Sequence, residues 1–267
     1  MRITIPEYFM GRPVKGAIER VFANQNSNTE QPTSTTPTPA NILHPEKYII
    51  LEGRTHGNYT YPDLLVSMEK SHLGETWNNC YEALQQEEQF MLSIREFVDF
   101  INLLKSGRAF DGNGRTINTK TLTQILNEII EVRNPWRSEM LGNKFKDVNG
   151  VLHIEHNHRF VNGQLQSLNT EPLEQYLMQD KTPGISLDHW LSNANSQGLP
   201  IPNTNNGDLY YWHPRDNSVA GFWSDSVRAG LGCYWGPGGS NPALGVRGAR
   251  EKYGKINKLS VISLKLP

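Results

Sequence analysis

After Gly198 and Pro200 the helical period that marks earlier parts of this chain disappears. Short apolar runs replace it: Leu209 to Trp212, Ala220 to Trp223, Ala229 to Cys233 and Ala243 to Val246, separated by Gly, Asn, Asp and Pro. Nine of the 23 glycines fall between Gly207 and Gly248, and three of the six tryptophans, Trp212, Trp223 and Trp235, lie there too. A segment so rich in breakers cannot extend a helix, and its runs are the length of short strands. It predicts a set of short strands that closes a domain.

Upstream the signals are helical. Ile94, Phe97, Val98, Ile101 and Leu104 recur on one face. Ser93 and Glu96 have the spacing of a capping box, and Gly107 stops the helix. Leu122, Ile125, Leu126, Ile129 and Ile130 predict a second helix, capped from Asn118 or Thr119. Ser186 caps a third, carrying Leu187, Trp190, Leu191 and Ala194. Tyr48 to Leu51 reads as a strand, and Leu259 to Leu264 as a last one. Val151 to Phe160 and Gln164 to Leu168 form a hairpin around Asn162-Gly163, a pair suited to positive φ angles. A strand, then helices, then a run of short strands gives an α+β class.

The N-terminal part differs. Residues 23–41 are a Ser/Thr/Pro/Asn/Gln stretch with almost nothing to bury, which predicts a flexible linker. It separates a short segment, residues 1–22, from a domain over 47–267. In that segment Arg2 to Ile5 suggests a strand and Ala17 to Phe22 a helical turn.

Composition excludes some classes. There are 26 basic and 27 acidic residues, so no polybasic nucleic-acid binder is expected. No run of about eighteen apolar residues exists to span a membrane, and the first residues lack the apolar stretch of a secretory signal. Cys80 and Cys233 are too few for a disulfide framework or a structural zinc site, though one disulfide is open to them.

Candidate chemistry is sparse. On a strand His156 and His158 share a face and His153 and Glu155 the other, but a third metal ligand is missing, and the simpler reading is polar decoration of an exposed hairpin. Asp111-Gly-Asn-Gly114 starts like a calcium loop, yet Arg115 and Leu122 stand where oxygen ligands are required; a tight loop before a helix is expected. Neither G-x-S-x-G nor a Walker-type loop occurs. Cys233 has no neighbouring His or Lys to activate it and reads as a buried thiol. Tyr210-Tyr-Trp-His213 reads as a core strand or as a surface for stacking.

The segment from Asp216 to Arg250 combines Tyr, Trp, Ser, Gly and Asn, the residues of adaptable binding surfaces. Composition leaves a binding face and an ordinary Gly-rich meander equally open. The frame Ala229-Gly-Leu-Gly-Cys233, followed by Ala243-Leu-Gly-Val-Arg-Gly-Ala-Arg250, resembles the C-terminal variable region of proteins diversified by retroelements, in the archaeal and archaeal-virus type. The resemblance extends in layout from Lys47 to Pro267 and implies a C-type lectin fold of the branch shared with formylglycine-generating enzymes. It implies fixed scaffold residues alternating with varied ones.

On that logic the ligand-binding face, within residues 216–250, comprises Gly221, Ser224, Asp225, Val227, Gly232, Tyr234, Gly236, Gly238, Gly239 and Asn241, with Trp223 and Trp235 as fixed flanking residues. The implied role is a display protein for receptor binding or surface attachment, on a virion or host cell surface. Its partner would be a protein or cell-surface ligand, with no nucleic acid, cofactor, metal or membrane span. The many glycines imply a shallow, open site. The catalytic relatives use two reactive cysteines in the site, whereas one is present here, so no enzymatic activity is expected. The alternatives are an enzyme or carbohydrate-binding protein of the same branch, or a structural virion protein.

Overall fold

The computed structural model describes residues 42–203 and 206–253, together with the backbone of two short N-terminal strands, β1 (Tyr8–Phe9) and β2 (Arg12–Pro13). The chain divides into two units, Met1–Thr38 and Pro39–Pro267. In the first, β1 and β2 pair antiparallel, Tyr8 opposite Pro13. The sequence expectations for Arg2 to Ile5, Ala17 to Phe22, the linker over 23–41 and the strand at Leu259 to Leu264 lie outside the described residues.

The second unit is mixed α+β. It begins with β3 (Tyr48–Leu51), the hairpin of β4 (Arg54–His56) and β5 (Tyr59–Tyr61), and β6 (Leu64–Ser67). Helix α1 (Trp77–Gln86) and β7 (Phe90–Met91) follow, then α2 (Ile94–Ser106) and α3 (Thr119–Ile130). The long strands β8 (Arg137–Val148), β9 (Val151–Val161) and β10 (Gln164–Pro172) come next, then β11 (Lys181–Ile185) and α4 (Leu187–Asn193). The C-terminal strands are β12 (Leu209–Trp212), β13 (Ser218–Ser224), β14 (Ala229–Trp235), β15 (Leu244–Val246) and β16 (Gly248–Glu251).

The main sheet has the order β10-β9-β8-β13-β14-β12-β11. Along this path the pairs are antiparallel except β12 with β14, and β15 joins the same sheet off the path. Strand β15 lies parallel to the first part of β8, beside Ser138 to Met140, and β9 takes over along Lys144 to Val148. A smaller sheet has the order β3-β6-β16-β7, so the last described strand is clasped between two early ones.

Local signals explain several elements. Ser93 and Glu96 close the capping box on α2, and Gly107 ends it in a left-handed conformation. Asn118 caps α3 and Ser186 caps α4. Asn162 and Gly163 both take positive φ, which this tight turn requires. The Asp111 loop is a turn whose carboxylate accepts from Asn113 N and Arg115 N.

Helix α2 is buried on its polar side as well as its apolar one. The β4–β5 hairpin covers the polar side: Tyr59 donates to Ser93 and Glu96, Tyr61 donates to Asp99, and the His56 ring meets Asp99 at 2.7 Å. Between α2 and the main sheet, Phe97 and Phe222 pack with ring centroids 5.5 Å apart, and Trp190 stacks on Phe222. Ala220, Ala229, Leu231, Cys233 and Tyr211 complete this inner face. The other sheet face carries the candidate site. Among the described residues no helix is long and apolar enough to cross a membrane.

Candidate functional site

Strand alternation decides what the C-terminal segment exposes. In β12, Leu209 and Tyr211 enter the core, whereas Tyr210 and Trp212 face out. In β14, Ala229, Leu231 and Cys233 enter the core, leaving Gly230, Gly232 and Tyr234 outside. The Tyr210–His213 cluster is therefore half core strand and half stacking surface.

The outward rings form a platform. Trp212 lies 5.6 Å, centroid to centroid, from each of Tyr210, Trp223 and Tyr234. The Arg228 guanidinium sits over Tyr210 at 5.1 Å and Trp223 at 5.2 Å, and Arg215 over Tyr234 at 5.4 Å. At the platform's edge Asp180 Oδ1 accepts from His213 N and meets His213 Nδ1 at 2.7 Å, while Oδ2 accepts from Arg215. Burial works against ionisation of Asp180, but these bonds and the nearby positive charges outweigh it and hold the carboxyl below its ordinary value.

The glycines beneath make this possible. Gly221 and Gly232 are cross-strand partners, and Trp235 lies across both. A Cβ at Gly221 would fall 2.7 Å from Cε3 of Trp235, and one at Gly232 would fall 2.8 Å from its Nε1. Gly230 similarly leaves room for Tyr210 and Trp223. The expected open, shallow surface is thus occupied at these positions by aromatic rings.

The remaining candidate residues divide by duty. Ser224 is fully buried and donates to the Ile129 carbonyl, on the core side. Trp223 is buried within the platform. Asp225 organises the β13–β14 turn, its Oδ1 accepting from Val227 N and Arg228 N. Asn241 does the same for Ala243 N. Val227 is 78% exposed, Tyr234 is 38% exposed, and Gly236, Gly238 and Gly239 are exposed. Along Ala229–Cys233 and Ala243–Arg250 most residues are buried instead, among them Ala229, Leu231, Cys233, Leu244, Val246, Arg247 and Ala249, with Ala243 and Arg250 half-buried. Arg247 holds Glu139 through a 2.6 Å bond and caps the Ser67 and Met68 carbonyls.

Beside the platform an apolar pocket of about 320 Å³ is lined by Trp136, Met140, Val219, Leu244, Tyr234 and Trp235. Trp136 directly precedes β8 and lines the pocket, and no periodicity around it in the sequence marks it as a wall.

The histidine pair lies elsewhere, and it is not decoration. His156 and His158 are both buried. His156 stacks on Tyr59, and burial, then repulsion from His158, lowers its pKa to about 4. His158 packs edge-on against Trp77, and neither of its ring nitrogens makes an ordinary hydrogen bond. The exposed-hairpin expectation fails because α1 and the β4–β5 hairpin cover this part of β9. Among the described residues no group of three His, Cys, Asp or Glu is placed to hold a metal.

Cys80 and Cys233 are free and buried, and burial pushes both thiols up, Cys80 to about 12. No family model, no curated protein and no solved structure matches this chain.

Proposed function

We propose that this domain is a ligand-binding display module whose working surface is the outward face of β12, β13 and β14. The observation that carries the reading is the platform of Tyr210, Trp212, Trp223 and Tyr234, with two arginines stacked on it. Rigid aromatics supply contact area at low entropic cost, and arginine and aromatic side chains dominate binding energies at interfaces. The mechanism is complementarity without bond chemistry, and the partner class is a protein or cell-surface structure.

We further propose that the face is diversified as in retroelement-variable proteins, on a lectin-like scaffold. Two observations support this. Most of the frame residues are buried, as a fixed scaffold demands, and the first and last described strands of the domain, β3 and β16, both pair with β6. Variation would be tolerated at Val227, Tyr234, Gly236, Gly238 and Gly239, which are exposed and whose turn bonds, Val227 N to Asp225 and Gly239 N to the Gly236 carbonyl, run through their backbones and not through a side chain of their own. Gly221, Gly232 and Ser224 lack that freedom, because a larger side chain there would displace Trp235 or enter the core.

Two measurements test the reading. A template copy of the codons for residues 216–250, mismatched only at adenines and near a reverse transcriptase gene, establishes diversification; its absence removes that part. A tight partner whose binding survives alanine at both Trp212 and Tyr234 removes the face. A sugar ring is the second reading, favoured by the Asp180, His213 and Arg215 groups at the platform's edge.

A further inference from the structure

The pocket beside the platform differs from it in chemistry. Its walls are Trp136, Met140, Val219, Leu244, Trp235 and the Tyr234 ring, with no carboxylate, ammonium or guanidinium among them. On the far side of Trp136 a second cleft carries Lys70, Glu128 and Arg133, so the uncharged character belongs to this pocket and not to the whole region. A bare charge would lose its hydration here with nothing to replace it, which excludes ionic ligands.

Size and rim narrow the occupant. A closed apolar cavity of about 150 Å³ takes benzene. The present volume of about 320 Å³ therefore holds a phenyl ring with room for its linker. The exposed part of the lining is the Tyr234 ring with Gly236, Gly239 and Ser240. A Cβ at Gly236 would meet nothing within 4 Å, so the rim presents bare backbone that another polypeptide can approach closely. The pocket shares Tyr234 and Trp235 with the candidate face, so a partner seated on the platform reaches it without a gap.

We infer that this pocket is an anchor site that takes one uncharged aromatic or large aliphatic side chain from a polypeptide partner. The inference rests on the proposed binding face. It adds the class of group recognised and the residue that sets the pocket's wall. Trp235 forms that wall because Gly221 and Gly232 let its ring lie flat on the sheet. The residues at 221 and 232 thereby control the shape of a pocket they do not line.

The test uses the full chain and a blocked amino acid, N-acetyl-L-phenylalaninamide, followed by saturation-transfer NMR. Saturable binding is expected, with N-acetyl-L-alaninamide weaker by about tenfold or more, the value of burying a large apolar side chain. Ser240→Phe and Gly239→Leu fill the pocket from its exposed rim and should each abolish the signal while melting as the parent does. Trp212→Ala, on the platform, should retain it. Absence of saturable binding, equal binding of the two probes, or signal persisting in both filled variants overturns the anchor site. Signal lost in Trp212→Ala but kept in the filled variants overturns it too, by placing the probe on the platform. The binding face is judged separately by partner affinity in Trp212→Ala, so either idea can fail alone.

Discussion

Trp235 lies on Gly221 so closely that a single methyl group at position 221 would fall within the indole ring's envelope, 2.7 Å from Cε3. Gly221→Ala is therefore expected to unseat Trp235, destabilising the fold by about 1–3 kcal/mol and changing tryptophan emission. Gly238→Ala is the matched control, since a Cβ there meets nothing within 4 Å and its φ is not left-handed. It should stay within about 0.5 kcal/mol of the parent in urea denaturation. Equal effects at the two sites would show that the glycine floor does not position Trp235.

Removing the centre of the platform should separate binding from folding. Trp212→Ala deletes the ring that touches Tyr210, Trp223 and Tyr234, yet Trp212 lies outside the buried core. Loss of an aromatic anchor of this kind costs about 2 kcal/mol of binding or more, some thirtyfold in Kd. Isothermal titration with a captured partner checks it, alongside a melt that should remain cooperative.

His156 predicts a pH signature. Its folded pKa is depressed to about 4 from the ordinary 6.5, with burial as the main cause. The unfolded chain therefore binds a proton at higher pH than the folded one does. Stability is full above about pH 6.5 and falls as pH drops toward 4, the loss reaching about 3 kcal/mol at the low end. His156→Gln should flatten that part of the stability curve relative to the parent. Parallel curves for the two proteins between pH 4 and 6.5 would refute the assignment.

The buried Arg247–Glu139 pair offers a test of the frame. Arg247→Met alone strands the Glu139 carboxylate and frees two backbone carbonyls, at a cost of about 3–5 kcal/mol. Adding Glu139→Met should recover part of that loss, and a double-mutant cycle measures the coupling. Additive effects would mean the pair is not a coupled unit.

Some of this was readable from residues alone. The Ser93–Glu96 box and the Asn162-Gly163 turn are local, so the sequence displays them directly. Helix α1 was equally visible, with Thr76 as cap and Trp77, Cys80, Tyr81 and Leu84 buried at helical spacing, but no sequence expectation was placed there. Strand β8 was not legible. Its Ser138, Glu139 and Asn143 are buried polar residues bonded to distant partners, the Phe222 carbonyl, Arg247 and the Ile94 N–H, while Arg137 is buried against carbonyls of the preceding helix end and turn, and such pairing leaves no alternation to read.

The candidate face shows the same division. A run of four aromatic or aliphatic residues, Leu209 to Trp212, gives no sign of which two face outward. Glycine is likewise ambiguous: Gly238 is open surface and Gly221 is floor under a ring, and only the fold tells them apart.

The clasp of β16 between β6 and β7 has a consequence for how the chain comes to its folded state. Ala249 pairs with Val66 on one side and Phe90 on the other. Until residues 248–251 leave the ribosome, β6 and β7 face an empty lane with unsatisfied edges. The candidate binding face, built from β12, β13 and β14, precedes that strand, so it is synthesised before the lane is filled. Contacts so remote in sequence form slowly and leave edges exposed meanwhile. Premature pairing of that face's strands with the open edges would compete with closure of the domain, so residues 248–251 act as the latch that ends the competition.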